Sequence, residues 1–425
     1  MDASSTPSSR ADKYSFVPLG TPPVVVGGDG NHLILEDGRR ILDGAGGAIV
    51  NNIGYGRPEI AAAASSVLTD AAYVLPTWAT DARLSLIERL TDRWLPTGLT
   101  RGILVAGGSE SVDSAMRIAR QHHIAKGNQD KWKILGRQIS YHGATLASLA
   151  VANHDRRREP FGQLLLDMAK IDVFDADAAI KTIEAEDPST VAAIIGEPVI
   201  GASGAAISPA DDYWSKLRQY CTENDILLIV DEVMTGVGRT GLKFGIEHWG
   251  VTPDILVGSK GLGGGYAPIG GVFATEAVVE PMTDRVMYFT FSGSDVTCAI
   301  ADTVLQILED EQLVDRCALM GTMLMSKLEA RLGDHPHVAD IRGKGLLIGV
   351  ELTKDRDTGA SFEGALTNAV VEDAMTHDTW IYPAGCAAVP DALLYGPSFT
   401  VTEAELDQLV EVTATSLDSA LNRTA

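Results

Sequence analysis

An apolar run, ILLIV, leads directly into Asp231 and Glu232 and then into a glycine-rich loop that ends at Gly241. In open α/β sheets ligands bind beyond the carboxyl ends of the strands, so an acid at that point is placed for a site. An isolated strand-end acid facing solvent is the plainer reading. Lys260 stands at the end of a second such run, DILVGSK, and six glycines follow it within eleven residues. Glycine at that density usually marks a backbone close to a ligand or a turn with positive φ. A lysine among apolar residues loses proton affinity, which suits attack on a carbonyl. Taken alone, a surface lysine is the plainer reading. In VAGGSESVDSAMRIAR, Gly108 and Ser109 fall at a strand-to-helix junction, where free N–H groups and the positive helix end attract an anion. An ordinary helix cap explains Ser109 equally well. Tyr141-His142-Gly143 follows another strand pattern, and there an aromatic ring either stacks on a flat heterocycle or covers the core.

These residues need elements to hold them. From about residue 100 the pattern alternates: ILVAGG as a strand, SESVDSAMRIARQHH as a helix, then KWKILGRQ, AAIIG, ILLIVDE and DILVGSK as strands, with DDYWSKLRQYCTEN as a helix between them. Such alternation implies a mostly parallel sheet with helices on both faces. Before it, Val24 to Leu42 reads as a small antiparallel meander. An alanine-rich helix then ends near Ala71, and Asp81 caps an amphipathic helix carrying Leu84, Ile87, Leu90 and Trp94. Beyond Asp315 come a long helix, the strand KGLLIGVEL, two further α/β turns and a closing helix from Thr402. The expected organisation is a disordered arm (1–14), the N-terminal part of a small domain (15–75), a large α/β domain (76–314) and the C-terminal part of the small domain (315–425).

The composition narrows the partners. The net charge is −23, from 34 basic and 57 acidic residues. That balance argues against nucleic acid and an anionic membrane surface, both of which call for a positive face. It is no obstacle to a phosphate-bearing cofactor held by local backbone N–H groups. Cys221, Cys298, Cys317 and Cys386 are too scattered for a disulfide framework, so reduced thiols in the cytoplasm are expected. No metal site is expected either: His122 and His123 are adjacent on one helix, and that spacing keeps both from facing one ion.

Taken in order, DEVMTGVGRTG, the SKG lysine after it, GGSES, SYHG, GEPV, FTFSG and IRGKGLLIGVEL resemble the class III (omega-type) aminotransferases, over nearly the whole chain. The resemblance implies an aspartate-aminotransferase-like fold of pyridoxal-phosphate fold type I. It implies pyridoxal 5'-phosphate as cofactor, held as a Schiff base by Lys260, which also shuttles a proton between substrate and cofactor. Lys260, Asp231 and Tyr141 form the implied catalytic set. Asp231 pairs with the pyridinium nitrogen, a contact worth roughly 4 kcal/mol at an effective dielectric near 20. Val233 and Tyr141 flank the ring. Gly108 and Ser109 hold the phosphate, with Thr290 from a neighbouring subunit, so a homodimer with shared sites is implied. His142 and Glu197 complete the cofactor shell, and Arg239 is a structural loop arginine. The implied reaction moves an amino group from an amine or amino acid to a keto acid such as pyruvate; aminomutase, decarboxylase or racemase chemistry on the same lysine is the alternative.

The sequence also departs from that pattern. Many relatives carry an arginine for the substrate carboxylate just after the threonine that precedes the last helix; here GPSFTVTEAEL has Glu403. Arg156, Arg157 and Arg158, in HDRRREPF, are the candidates to replace it, although a charge run is usually a solvated face. Ala48 and Ile49 stand where relatives often have a tryptophan, and Trp78 is a candidate wall of the substrate pocket. Ser294-Asp295 replaces a usual His-Pro after FTFSG.

Overall fold

The computed structural model describes residues 22–71, 73–283, 288–363 and 365–424. The expected arm, residues 1–14, lies outside them. Three strands, β1 (Val25–Asp29), β2 (His32–Leu35) and β3 (Arg40–Asp43), form the antiparallel meander read from the sequence. Seven more form one sheet: β4 (Leu99–Val105), β5 (Lys133–Arg137), β6 (Lys170–Ile171), β7 (Val191–Gly196), β8 (Leu227–Asp231), β9 (Ile255–Gly258) and β10 (Gly270–Thr275). Their order is β4-β10-β9-β8-β7-β5-β6, and β10 runs antiparallel to both of its neighbours. The sequence reading missed β10, because its first residues belong to a glycine-rich stretch that has no alternating pattern.

The centre of this sheet is apolar on both faces: every residue of β7, β8 and β9 is buried. On one face Val112, Ala115, Ile118 and Ala119 of the helix Gly108–Ala125 pack with Ile134, Ile195, Ile229 and Val257. On the other, Trp214 and Leu217 of the helix Tyr213–Glu223 pack with Leu135, Leu228, Val230 and Leu256. Each such side chain removed from water contributes about 1.5–3 kcal/mol. A strand buried on both faces has no tolerance for a polar substitution, and that fixes where its carboxyl end lies.

The remaining strands are β11 (Val338–Lys344), β12 (Leu347–Leu352), β13 (Thr379–Trp380), β14 (Tyr382–Cys386) and β15 (Val389–Tyr395). Four form a sheet in the order β11-β12-β15-β14, while β13 joins the meander by pairing with β3 in parallel. Residues from opposite ends of the chain therefore share a sheet.

Two local readings need correction. Thr80, not Asp81, caps the helix Asp81–Arg89, its hydroxyl accepting from the Arg83 N–H at 3.4 Å. Leu84 of that helix is exposed, while Leu86, Leu90 and Trp94 fill the core. Among the described residues no helix is long and apolar enough to cross a membrane.

Candidate active site

Five strand tails meet at one edge of the large sheet. Beyond β4 begins the helix Gly108–Ala125; beyond β5 come Tyr141 and His142; beyond β7, Glu197; at the end of β8, Asp231 and then Val233; beyond β9, Ser259 and Lys260. Together with Gly143 and Met234 these residues line a cavity of about 180 Å³. In an open α/β sheet the carboxyl ends of the parallel strands gather residues distant in sequence into one crevice.

Lys260 is half-buried in the cavity wall, and desolvation lowers its amine to a pKa of about 8, against Asp231 and Glu197, which raise it. The charges of Arg157 and Arg239 lower it further. Its φ of 44° lies in the left-handed region, a conformation that costs a non-glycine residue about 1–3 kcal/mol and tends to persist at functional positions.

Asp231 is fixed on both oxygens: Oδ2 lies 2.7 Å from His142 Nδ1, and Oδ1 accepts from the Val233 N–H at 3.0 Å. The neighbouring Glu232 points away into the loop. It accepts from the N–H groups of Gly245 at 2.8 Å and Ile246 at 2.7 Å and from the Thr235 hydroxyl, and burial pushes its carboxyl up to about 7. Of the adjacent acids, one faces the cavity and the other ties down the loop.

Glu197 is buried, which raises its carboxyl. It accepts from Tyr141 N–H at 3.0 Å and Gly201 N–H at 2.9 Å. Arg137 holds its backbone by donating to the Glu197 carbonyl, while its guanidinium lies 5.1 Å from the Trp214 ring. The sequence reading missed Arg137 and Met234; Met234 was in view inside DEVMTG, but nothing in the letter pattern marks its direction.

Ser109 is no cap. It sits one residue inside the helix, and its hydroxyl accepts from the Ala144 N–H at 3.0 Å. The first turn of the helix, whose N–H groups have no intrahelical acceptor, opens on the cavity. A Cβ at Gly108 would come within 2.9 Å of Val233, and one at Gly143 within 2.5 Å of the Ser109 hydroxyl. This cradle suits a phosphate, the carboxylate suits a ring nitrogen, and the amine of lowered proton affinity suits an aldehyde. The residues present fit pyridoxal 5'-phosphate.

Other expected residues lie elsewhere in the single chain. Thr290 is exposed, its carbonyl accepting from Tyr73 at 3.0 Å. Trp78, 64% exposed, lines a separate groove with Leu84 and Tyr288. Ala48 is exposed, whereas Ile49 is buried in a cluster with Val199, Ile200 and Met234, behind the cavity wall. Glu403 faces solvent and pairs with Lys327 at 3.4 Å. Arg239 is a loop anchor: it donates to the carbonyls of Pro397, Leu346 and Asn51 and to Asn52, at 2.7–3.2 Å.

The histidine reading also needs correction. The rings of His122 and His123 turn edge to face, so that one nitrogen of each lies within 4.8 Å of the Asp225 carboxylate. Asp225 is already taken by Lys126 at 2.6 Å and Asn128 at 3.1 Å, and each ring contacts a backbone carbonyl.

The model of the family described as aminotransferase class-III matches residues 19–417. An uncharacterised aminotransferase of Bacillus subtilis is 36% identical over 405 residues, covering 90% of this chain and 89% of the relative. A hypotaurine/taurine–pyruvate aminotransferase of Paracoccus denitrificans is 33% identical, over 95% of this chain and 92% of the relative. Among solved structures, a thermostable (S)-enantioselective omega-transaminase of Thermomicrobium roseum superposes with a TM-score of 0.90 at 33% identity, each chain 97% covered. The omega transaminase of Pseudomonas jessenii in complex with PMP gives 0.92 at 28% identity, over 98% of this chain and 99% of the other. A strand-end lysine, a carboxylate and a phosphate cradle on this fold are thus accounted for: the chain belongs to the class III aminotransferases, pyridoxal-phosphate-dependent transaminases.

Proposed function

We propose that the protein moves an amino group from an amine or amino acid to a keto acid such as pyruvate, in two half-reactions at the cavity edged by Lys260. The observation that carries this reading is the convergence of the Lys260 amine, the Asp231–His142 pair and the Ser109 helix end on one cavity. Pyruvate is named as acceptor in the Paracoccus denitrificans relative. When bound, pyridoxal phosphate supplies an aldehyde for amines and a ring that takes up the electron pair left on the substrate carbon.

In this reading each residue has its own task. Lys260 Nζ holds the cofactor, and, once displaced by the amino donor, moves the proton from the substrate carbon. Its lowered proton affinity keeps a usable share of the amine neutral near pH 8. Asp231 carries the charge that keeps the ring nitrogen protonated, and His142 and the Val233 N–H hold that carboxylate in one orientation. Gly108 and Ser109 bind the phosphate at the helix end, and Val233 and Tyr141 flank the ring. Glu197 stands at the substrate entrance.

The reading extends to a homodimer with shared sites. Thr290 lies outside the single-chain cavity, its carbonyl bonded to exposed Tyr73, whose ring meets that of exposed Phe291, and Trp78 and Tyr288 stand exposed in a nearby groove, apolar surface of the kind that marks an interface. It also divides the chain at about residues 75 and 314 into a central unit and a smaller one from both ends, and assigns the protein to the cytoplasm, in keeping with four free, buried cysteines.

The test is spectroscopic. The purified protein should show the visible band of lysine-linked pyridoxal phosphate, and single amino donors should bleach it stoichiometrically, with pyruvate restoring it. A band that no donor bleaches would end the transaminase reading.

A further inference from the structure

We infer that Arg157 binds the carboxylate of the keto-acid acceptor. The inference rests on the transaminase reading above.

A keto acid brings an anion into the site, and its recognition calls for a cation at the rim. Glu403 cannot supply one: it is an acid, its side chain is 65% exposed, and it is turned towards Lys327, which also holds Asp407 at 2.5 Å. Arg239 has the right charge but is fully committed to the backbone carbonyls and Asn52 that it anchors. Lys260 and His142 belong to the cofactor.

The run Arg156-Arg157-Arg158 lies on the short helix Asp155–Arg158, and its three members have different surroundings. Arg158 is structural, donating to the Leu149 carbonyl at 3.0 Å and to Asn153 at 3.2 Å. Arg156 is exposed and lies on no aromatic ring among the described residues. Arg157 alone of the three stacks on a cavity residue, its guanidinium carbon 4.4 Å from the centre of the Tyr141 ring. Tyr141 and Lys260 line the same cavity, so the guanidinium rests against one of its walls. Among the described residues Arg157 makes no ion pair.

An exposed arginine laid on an aromatic face keeps its five donors free, and the planar fork matches a carboxylate with two parallel hydrogen bonds. The long stem lets the head leave the ring and return to it. A donor amine without a carboxylate then meets an arginine resting on Tyr141, while the keto acid draws the guanidinium inward. One mobile side chain thus serves both half-reactions.

The experiment compares pyruvate with propanal, a neutral acceptor of the same carbon count, in the wild type and in Arg157→Ala and Arg157→Gln. The ratio of kcat/KM for pyruvate to that for propanal should fall on the order of ten- to a hundredfold, carried by KM, as expected for a lost charge-assisted hydrogen bond. Arg157→Lys should fall between, and Arg156→Ala should leave the ratio where it is. Calorimetry with propanoate on the cofactor-loaded protein reads the anion site without chemistry, and its Kd should weaken by a similar factor while propanamide shows no such change. An unchanged ratio together with an unchanged propanoate Kd overturns the assignment. A protein inactive toward every acceptor, yet losing propanoate on Arg157→Ala, would break the transaminase reading and keep the anion site.

Discussion

At the carboxyl edge of the seven-stranded sheet, Ser109, Tyr141, Glu197, Asp231 and Lys260 close on one cavity. In the groove beside Trp78, by contrast, large apolar side chains, Trp78, Leu84 and Tyr288, stand exposed. The first region is fixed by strands buried on both faces, so its residues have one place to be. The second is built largely from the segments 73–79 and 288–293, connections held from beneath by Arg83, which donates to the carbonyls of Val74, Leu75, Trp78 and Gly293 at 2.6–2.8 Å while their large side chains face outward. A single chain therefore completes the part of the site that handles the amine and the ring. It leaves the threonine expected for the phosphate, and the aromatic expected for the substrate, on an outer surface. The homodimer proposed above predicts that the second region is finished by a copy of the first.

The largest effects should come from the strand-end region. Lys260→Ala should lower turnover at least about 10³-fold, the scale of a lost proton-transfer group, and remove the visible band; a variant with wild-type turnover would overturn the assignment of the cavity. Asp231→Asn should cost about 10²- to 10³-fold in kcat, because the pair it forms with a protonated ring is worth roughly 4 kcal/mol. Glu232→Ala, one residue on, should instead lower stability by about 3 kcal/mol, since two buried N–H groups and a hydroxyl lose their acceptor. Thermal melts and single-turnover rates on the two variants separate the roles: the Asp231 variant should melt much closer to the wild type than the Glu232 variant.

The difference between the regions also explains what was legible in the sequence. Lys260, Asp231 and Ser109 could be read because each follows an apolar run into glycines, and that pattern is itself the physical cause of a strand-end site. Glu403 and Trp78 were read from position relative to a family pattern, and position says nothing of direction. Glu403 turned to Lys327 because two acids, Glu403 and Asp407, surround that amine. Thr80 took the cap from Asp81 because only its hydroxyl sits one residue before the first turn. His122 and His123 came together through ring rotation, which adjacency on a helix does not forbid. The pairing of β13 with β3 joins residues more than 330 apart and leaves no local trace.

Phe291→Asp tests the second region directly. Phe291 is 64% exposed beside Thr290, and if a second chain covers it, a carboxylate there is buried without a partner. Light scattering should then report half the wild-type mass, and pyridoxal phosphate should dissociate about tenfold faster, the loss of one phosphate hydrogen bond. An unchanged mass and retention would leave the groove as plain surface.

The smallest effect sharpens the contrast most, because it reads the first region alone. Only the neutral form of Lys260 attacks the aldehyde. Burial sets its amine at about 8, so roughly a tenth is neutral at pH 7 and roughly nine-tenths at pH 9. Loading of cofactor-stripped protein should therefore speed up about ninefold between those values and then level off. An exposed lysine would keep gaining about tenfold per unit through pH 9, since its pKa stays near 10.4. The neighbours set the sign of each variant: the Glu197 charge raises the amine, so Glu197→Gln should move the midpoint down, and the Arg157 charge lowers it, so Arg157→Ala should move it up. Phe291→Asp should leave the midpoint in place even as it loosens the cofactor. A midpoint that moved with Phe291 would mean that the second chain reaches the amine itself, and the two regions would be one.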